Sequence, residues 1–215
     1  MENPNAYARE PKQERSRLSF DRAVDAAVSL LVERRAATFT LAEVAERAGV
    51  STGSIYGRVD SKDDLLRTAH AREMARMSVE QAEAFPATAP AGETFPDTVS
   101  RLVHTVGDLL RRNAPVLAPF MLMGPHDPVI AELGSNGYRE LSAAFSAALL
   151  ARGDAITHPE PERAAAWSCT VVYSVLARWL GLGSAPEAAG EGDWELILAD
   201  LAEMVTAFLT GGPRS

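Results

Sequence analysis

The sequence predicts an all-α protein of about nine helices, and three observations on its 215 residues indicate this class. Apolar residues recur through most of the chain at the i, i+3, i+4, i+7 spacing of a helix face. Hydroxyl residues that can cap a helix stand before several of these runs, as Thr40 and Ser61 do. The stretches between the runs are rich in proline and glycine, which end helices and form loops.

The first helix is expected to begin at Ser19, after a polar and charged stretch over residues 1–18. Ser19 is a suitable N-cap, and Asp21 lies near the positive end of the helix dipole. Because residues 1–18 carry few apolar side chains, we expect them to form a flexible arm. The apolar face of this helix runs as far as Arg34 and consists of Phe20, Val24, Ala27, Val28 and Leu31.

A helix-turn-helix is predicted next in the chain. Thr40 and Glu43 form a capping box before an apolar face, and Gly49 can take the left-handed conformation that a sharp turn needs. Ser51 then caps a short second helix whose inward residue is Ile55. This order of cap, helix, glycine turn and second helix is that of a helix-turn-helix. The side chains that this second helix offers to a partner are hydroxyl-rich, with Ser51, Thr52, Ser54, Tyr56 and Arg58.

One string of residues resembles the DNA-binding domain of the tetracycline-repressor (TetR) family of transcriptional regulators. It begins at Ala45 and runs AxRAGVSxGxIYxxxxSKxxLL, and the resemblance extends from about Ser19 to Thr68. At Val59 family members most often carry an aromatic residue, which is a departure outside the DNA-facing positions. The matching residues are Phe39, Thr40, Val44, Ala45, Ala48, Gly49, Val50, Ser51, Ile55, Tyr56, Lys62, Leu65 and Leu66.

The resemblance implies a division of the chain and a set of DNA-facing residues. The expected regions are the arm over residues 1–18, a helix-turn-helix DNA-binding domain over 19–70, and a ligand-binding and dimerisation domain over 71–215. Side chains expected at bases or adjacent phosphates are Thr52, Ser54 and Tyr56. Side chains expected at the backbone or groove edges are Thr40, Ser51, Arg58 and Lys62.

More specific expectations apply to Arg58, to Lys62 and to residues 1–18. Arg58 is the one arginine in the predicted recognition helix, and its guanidinium group makes it the best candidate to donate two hydrogen bonds to guanine. Lys62 stands at the first turn of the next helix, where its charge is unfavourable to the dipole. We therefore expect its ammonium to contact a DNA phosphate beside the free amides of that turn. Residues 1–18 form either a solvated tail or an arm that enters a minor groove.

Five further helices are predicted after Ser61. A long one runs to about Phe85 and is followed by a proline- and glycine-rich loop. Four prolines and a glycine in residues 113–128 leave room only for short helical turns there. The other predicted helices span residues 98–112, 129–152, 162–182 and 194–209.

The second domain is expected to hold a small-molecule pocket and a dimer interface. Because its proline-broken segment is strongly apolar, we expect a cavity that binds an apolar or aromatic ligand. The candidate pocket residues are His104, Phe120, Met121, Met123, Phe145, Trp167 and Tyr173; each is also a plausible core residue. The last two helices are apolar on more than one face, which favours a two-fold four-helix interface. Its candidates are Trp167, Val171, Val175, Trp179, Ile197, Leu201, Met204 and Phe208.

Composition and charge restrict the function classes. Residues 1–70 carry eleven basic and eleven acidic side chains, so the remainder, with 21 − 11 = 10 basic and 29 − 11 = 18 acidic, accounts for the net charge of −8. An acidic body repels nucleic acid, so DNA binding is expected at a small local surface. No phosphate-binding glycine loop, nucleophile motif or metal-ligand cluster is present, so no enzyme activity, cofactor or metal is expected.

The absence of a long apolar run argues against a membrane span. The single cysteine, Cys169, is expected to be buried and fits a cytoplasmic protein.

The resemblance implies a homodimeric repressor that binds a pseudo-palindromic duplex and is released by a small ligand. An activator is a near variant of this hypothesis. The alternative from another class is a ligand-binding or protein-interaction module whose helix-turn-helix is only structural.

Overall fold

The computed structural model describes residues 12–86, 90–183 and 189–211, and all regular structure in these ranges is helical. The all-α class is confirmed, with eight α-helices in the described residues where the sequence predicts about nine. They are α1 (Lys12–Arg34), α2 (Leu41–Ala48), α3 (Thr52–Tyr56), α4 (Lys62–Ala84), α5 (Phe95–Met123), α6 (Pro128–Leu150), α7 (Pro161–Trp179) and α8 (Trp194–Thr210). Short 3₁₀ turns lie at Gly124–His126 and Gly153–Ala155. None of the described helices has the combined length and apolarity that crossing a bilayer requires.

The chain divides into two compact units, the first ending at Arg72 and the second beginning at Glu73. The sequence predicts a boundary at residue 70. Helix α4 contributes residues 62–72 to the first unit and 73–84 to the second.

In the first unit, α1 packs against both α2 and α3. The side chains that these contacts bury are apolar and almost fully shielded from solvent. Burying one such large side chain stabilises a fold by about 1.5–3 kcal/mol, and this is what holds the short α3 in place. The buried set includes Ala23, Val24, Ala27, Leu30, Leu31, Phe39, Val44, Ile55, Leu65 and Leu66.

Helix α1 begins earlier than the sequence predicts. It starts at Lys12, so the predicted cap at Ser19 is wrong, as is the flexible arm over residues 12–18. Lysine, glutamine, glutamate and arginine in this stretch are good helix formers, and Arg17 pairs with Asp21 one turn later at 3.6 Å. The rest of the predicted arm, residues 1–11, lies outside the described residues.

Helix α5 contradicts the prediction of a broken segment over residues 113–128. It begins at Phe95, after a capping box between Thr94 and Asp97, and continues to Met123 through Pro115 and Pro119. An interior proline costs about 3 kcal/mol because it removes a backbone donor and crowds the preceding turn. Beyond Pro115, both Pro119 and Phe120 are buried, and the burial of Phe120 offsets part of that cost.

Helix α7 is shorter than the predicted range of residues 162–182. It ends at Trp179, and Gly181 then takes a left-handed conformation with φ of 69°. The Leu182 amide donates to the Ala177 carbonyl at 2.8 Å, which closes the helix end, and the Leu182 side chain is buried. Of the predicted loop over residues 183–192, residues 184–188 lie outside the described residues.

The core of the second unit lies among α5, α6, α7 and α8. Phe145, Leu149, Val172 and Leu176 are fully buried in it. Helices α5 and α8 approach closely at Gly107, where an added Cβ would lie 3.0 Å from Leu198 and 3.1 Å from Trp194.

Candidate nucleic-acid interface

The N-terminus of α2 is fixed by the predicted capping box, which is confirmed. The Glu43 amide donates to Thr40 Oγ1 at 3.2 Å, and the Thr40 amide donates to Glu43 Oε2 at 2.8 Å. Arg34 also donates to Glu43 Oε1 at 2.6 Å. The Thr40 amide, and after it the Arg34 guanidinium, lower the pKa of Glu43 from its usual 4.5 to about 2. The Thr40 side chain itself is exposed at this helix end.

The turn between α2 and α3 has the predicted geometry. Gly49 lies in the left-handed region with φ of 62°, and the Val50 amide donates to the Ala45 carbonyl at 3.0 Å. Ser51 caps α3, since its Oγ accepts from the Ser54 amide at 3.1 Å. The Oγ atoms of Ser51 and Ser54 lie 2.8 Å apart and share a hydrogen bond. The two helices therefore have a fixed angle that local hydrogen bonds maintain.

Helix α3 has one buried side and one exposed side. Ile55 is fully buried, whereas Tyr56 is 55% exposed and Ser54 is also exposed. Thr52, at the first helical position, is half-buried. Hydroxyl groups both donate and accept hydrogen bonds, so they suit the mixed donors and acceptors of a major groove.

Gly53 of α3 belongs to the string that resembles the TetR family, although the sequence analysis gave it no role of its own. A Cβ added there would meet only Ser51 Oγ, at 3.9 Å, so no neighbour in the described residues requires the missing side chain. A glycine inside a helix costs about 1 kcal/mol relative to alanine. The bare backbone at this exposed position lets another molecule approach closely. The signal available in the sequence was a glycine in the middle of a five-residue helix.

Arg58 does not lie in α3, which corrects its predicted place in the recognition helix. The helix ends at Tyr56, and Arg58 follows its C-cap residue Gly57. The Arg58 side chain extends to Ser16 in α1, where Nη2 and Nε donate to the hydroxyl at 3.3 and 3.4 Å. Both hydrogen bonds are long, so little energy opposes a change of partner.

Lys62 has internal partners that account for its position without a phosphate. Its Nζ donates to the carbonyls of Ala37 and Phe39 at 2.8 and 3.2 Å. The ammonium also lies 5.6 Å from the centroid of the Phe39 ring. Because an ammonium has three donors, one remains for another partner. The clearest structural effect of Lys62 is to hold the segment that enters α2.

The predicted pocket residues of the second unit do not share one environment. Phe120 and Phe145 are closed within the core, whereas Trp167 is 56% exposed at the surface. The remaining four are half-buried: His104, Met121, Met123 and Tyr173.

Two of these half-buried side chains, His104 and Tyr173, carry polar groups. His104 Nδ1 hydrogen-bonds the Ser100 carbonyl at 2.7 Å. Tyr173 contacts the edge of Tyr138 at a centroid distance of 5.0 Å, and burial raises the pKa of Tyr173. The Tyr138 hydroxyl lies 2.9 Å from Thr170 Oγ1, a pair that the sequence analysis missed.

Cys169 is buried in α7, as predicted, and burial raises the pKa of its thiol to about 11. A thiol in this state is protonated at neutral pH and unreactive. Over residues 12–86, 90–183 and 189–211, no group of three or more His, Cys, Asp and Glu residues is placed to hold a metal ion.

Four of the eight predicted dimer residues are exposed apolar side chains. Trp167, Val175, Met204 and Phe208 are exposed, and Val171, Trp179 and Ile197 are half-buried. Leu201 is buried at 3% exposure, which corrects its place on the predicted surface, because it faces the core of its own unit.

Comparisons with known proteins agree with this geometry. Residues 23–69 match the family model of bacterial regulatory proteins, tetR family. The chain is similar to the solved structure of a transcriptional regulator from Rhodococcus sp. Rha1, with a TM-score of 0.65 and 22% identity over 91% of this chain and 100% of that chain.

Two further solved structures share the fold. GusR of Salmonella enterica has a TM-score of 0.61 and 18% identity over 89% of this chain and 95% of its own. A bacterial regulatory protein in the tetR family from Rhodococcus RHA1 has a TM-score of 0.59 and 17% identity over 92% and 98%. Because these sequence identities are low, the structural similarity establishes a shared fold and no more. No curated protein sequence matches the chain significantly.

Proposed function

Because its residues 23–69 belong to the tetR family of bacterial regulatory proteins, we propose that this protein is a sequence-specific DNA-binding transcriptional regulator. Its helix α3 enters a major groove. A homodimer would place two copies of α3 in successive grooves of a pseudo-palindromic site, about 34–36 Å apart. We further propose that it acts as a repressor, released from DNA by a small ligand.

The observation that carries the DNA-binding proposal is the exposed side of α3. It combines two hydroxyl side chains, Ser54 and Tyr56, with the bare backbone of Gly53. None of the three is needed to fill the core. Exposed groups that can hydrogen-bond, held on a helix whose angle is fixed, are what recognition of base edges requires.

The dimer proposal is supported by the exposed apolar side chains of α7 and α8. Trp167 and Met204 are 56% and 59% exposed. Large apolar side chains that are grouped on a surface mark a site of protein interaction. Met204→Asp is expected to yield monomers in sedimentation velocity. Leu122→Asp, at a 58% exposed position on α5 outside the predicted interface, is the matched control and should leave the dimer intact. Dimers in both variants would contradict this interface.

The ligand proposal is supported by half-buried side chains of mixed polarity in the second unit. Met121 offers an apolar thioether, while Tyr138 and Thr170 offer hydroxyls. An apolar or aromatic ligand with one polar group suits such a surface. A ligand can release DNA only as far as it binds the two states of the dimer with different affinity.

The proposed function is tested by selecting duplexes from a random pool with the purified protein and measuring binding by mobility shift. The expected result is one recovered pseudo-palindrome that binds at least a thousand-fold more tightly than random duplex. Loss of the shift on adding a metabolite extract would support ligand control. Metabolite binding to a protein that selects no duplex would instead favour the ligand-binding module.

A further inference from the structure

The arginines of the first unit fall into two groups by their ion pairs. Five have a carboxylate partner within 4.0 Å: Arg17 with Asp21, Arg34 with Glu43, Arg47 with Glu33, Arg67 with Asp64, and Arg72 with Asp25. Among the residues that the structure describes, Arg15, Arg22, Arg35 and Arg58 have no such partner. The charge of these four guanidinium groups is therefore not offset by a close carboxylate of the described residues and is available to an anionic partner.

Three of these four arginines lie in the first half of α1 or hydrogen-bond to it. Arg58 hydrogen-bonds Ser16, and Arg15 is the residue before it. Arg15 and Arg22 are seven residues apart, which places them on one flank of the helix. Arg22 Nη2 reaches Ser19 Oγ at 3.4 Å on that flank. The hydrogen bonds of Arg58 therefore bring the first two turns of α1 next to the end of α3.

The first two turns of α1, residues 12–18, gain little from folding; we call them the α1 overhang. Every side chain described in it is exposed, including Leu18 at 42%, and the first fully buried residue of the helix is Ala23. Ordering a backbone costs conformational entropy that burial normally offsets. An ordered, exposed and partly unpaired cationic segment is consistent with a second partner of opposite charge.

We propose that the α1 overhang is a second DNA-contacting surface, and that it binds the phosphate backbone flanking the site read by α3. Arg15 contacts a phosphate directly, and Arg58 bridges the overhang to the recognition helix. Glu14 is about 100° around the helix from Arg15 and so lies off that line. Contacts of this kind position a protein without reading sequence. This inference rests on the proposed function.

The test measures how the affinity of Arg15→Ala for DNA depends on salt. Fluorescence anisotropy with a random-sequence duplex of about 40 base pairs gives log affinity against log salt concentration, because such a duplex spans two half-sites. Each lost phosphate contact lowers the slope by about 0.9, which is about eight-fold in affinity at 0.1 M salt, so a dimer loses about twice that slope. Arg17→Ala is the matched control. It removes the same charge from the same overhang, but that charge is already paired with Asp21.

The expected result is a reduced slope for Arg15→Ala and an unchanged slope for Arg17→Ala. Equal reductions in both variants would mean that net charge alone matters, and an unchanged slope for Arg15→Ala would mean that the overhang touches no phosphate. Either outcome overturns this inference while the proposed function stands. A wild-type protein that binds no duplex would overturn the proposed function itself. Circular dichroism of both variants checks that α1 remains helical.

Discussion

The helix-turn-helix of the first unit and the helical core of the second unit both bury apolar side chains, but they differ in how much they depend on local hydrogen bonds. In the first, caps and turns made by residues three or four apart, such as Thr40 with Glu43, fix short helices. In the second, long helices are held by apolar side chains distant in sequence, with Phe145 and Leu176 fully buried. Because local hydrogen bonds fix the ends of α2 and α3, the exposed side of α3 is available for recognition. The core of the second unit depends on packing between distant residues, so substitutions there are expected to be destabilising.

The largest expected effect separates stability from recognition. Phe145→Ala in the second unit should lower the free energy of unfolding by about 3–5 kcal/mol, because it leaves a cavity in a closed core. All three tryptophans lie in that unit, so their fluorescence in urea follows it.

Tyr56→Ala in the first unit is the counterpart of this change. Its side chain is 55% exposed, so the stability should change by less than about 0.5 kcal/mol. Binding to the selected duplex should nevertheless be weaker. Loss of stability without loss of binding would reverse the roles assigned to the two surfaces.

Lys62→Met tests whether the lysine serves the fold or a phosphate. Removing the ammonium leaves the Ala37 and Phe39 carbonyls without their donor, and hydrogen bonds from charged groups contribute about 1.5–3 kcal/mol. We expect faster amide hydrogen exchange in residues 37–48, measured by mass spectrometry. Normal exchange combined with a salt slope lower by about 0.9 for each protomer of the dimer would restore the phosphate contact that the sequence predicts.

Gly53→Ala should affect only recognition. There is room for the added methyl group, and alanine favours a helix by up to about 1 kcal/mol, so the melting temperature should hold or rise. The methyl group would occupy space between α3 and the duplex, so affinity should fall. Undiminished binding would show that no part of the DNA approaches this backbone.

Acid should weaken both units, because each contains several carboxylates with a lowered pKa, and the largest shifts are those of Glu43 and Glu93. The pKa of Glu43 is lowered to about 2 by the Thr40 amide and Arg34, and that of Glu93 to about 2, chiefly by Arg101. Since both values lie below the usual 4.5, the stabilisation is complete above about pH 4.5 and is lost as the pH falls toward 2.

Glutamine variants assign this pH dependence to each unit. Glu43→Gln should flatten the dependence of hydrogen exchange on pH in α2 while leaving tryptophan fluorescence unaffected. Glu93→Gln should do the opposite. An acid response of α2 that is as steep in Glu43→Gln as in the wild type, or of the fluorescence in Glu93→Gln, would show that these carboxylates do not act locally.

The same contrast explains what the sequence could predict. The caps at Thr40 and Ser51 and the turn at Gly49 depend on neighbouring residues, so local chemistry was sufficient to find them. The course of α5 through Pro115 was not predicted, because its stability comes from partners far along the chain. The different exposures of the candidate pocket residues were not predicted for a similar reason: burial of Phe120 and exposure of Trp167 are set by packing, which residue type alone does not show.

The hydrogen-bond partners of Arg58 and Lys62 also could not be predicted from neighbouring residues. The hydrogen bonds from Arg58 to Ser16 span 42 residues, and those from Lys62 to the segment before α2 span 23 and 25. A side chain with long reach has many possible partners, so its type predicts that it binds an anion or a carbonyl without predicting which one.

The role of α3 in reading DNA is tested most directly by repeating the duplex selection with Ser54→Ala beside the wild type. If the exposed hydroxyl contacts a base, the wild type should recover a symmetric site and the variant should lose preference at one base pair in each half, at equal salt. Identical preferences in the two selections, or no enrichment by the wild type, would contradict it.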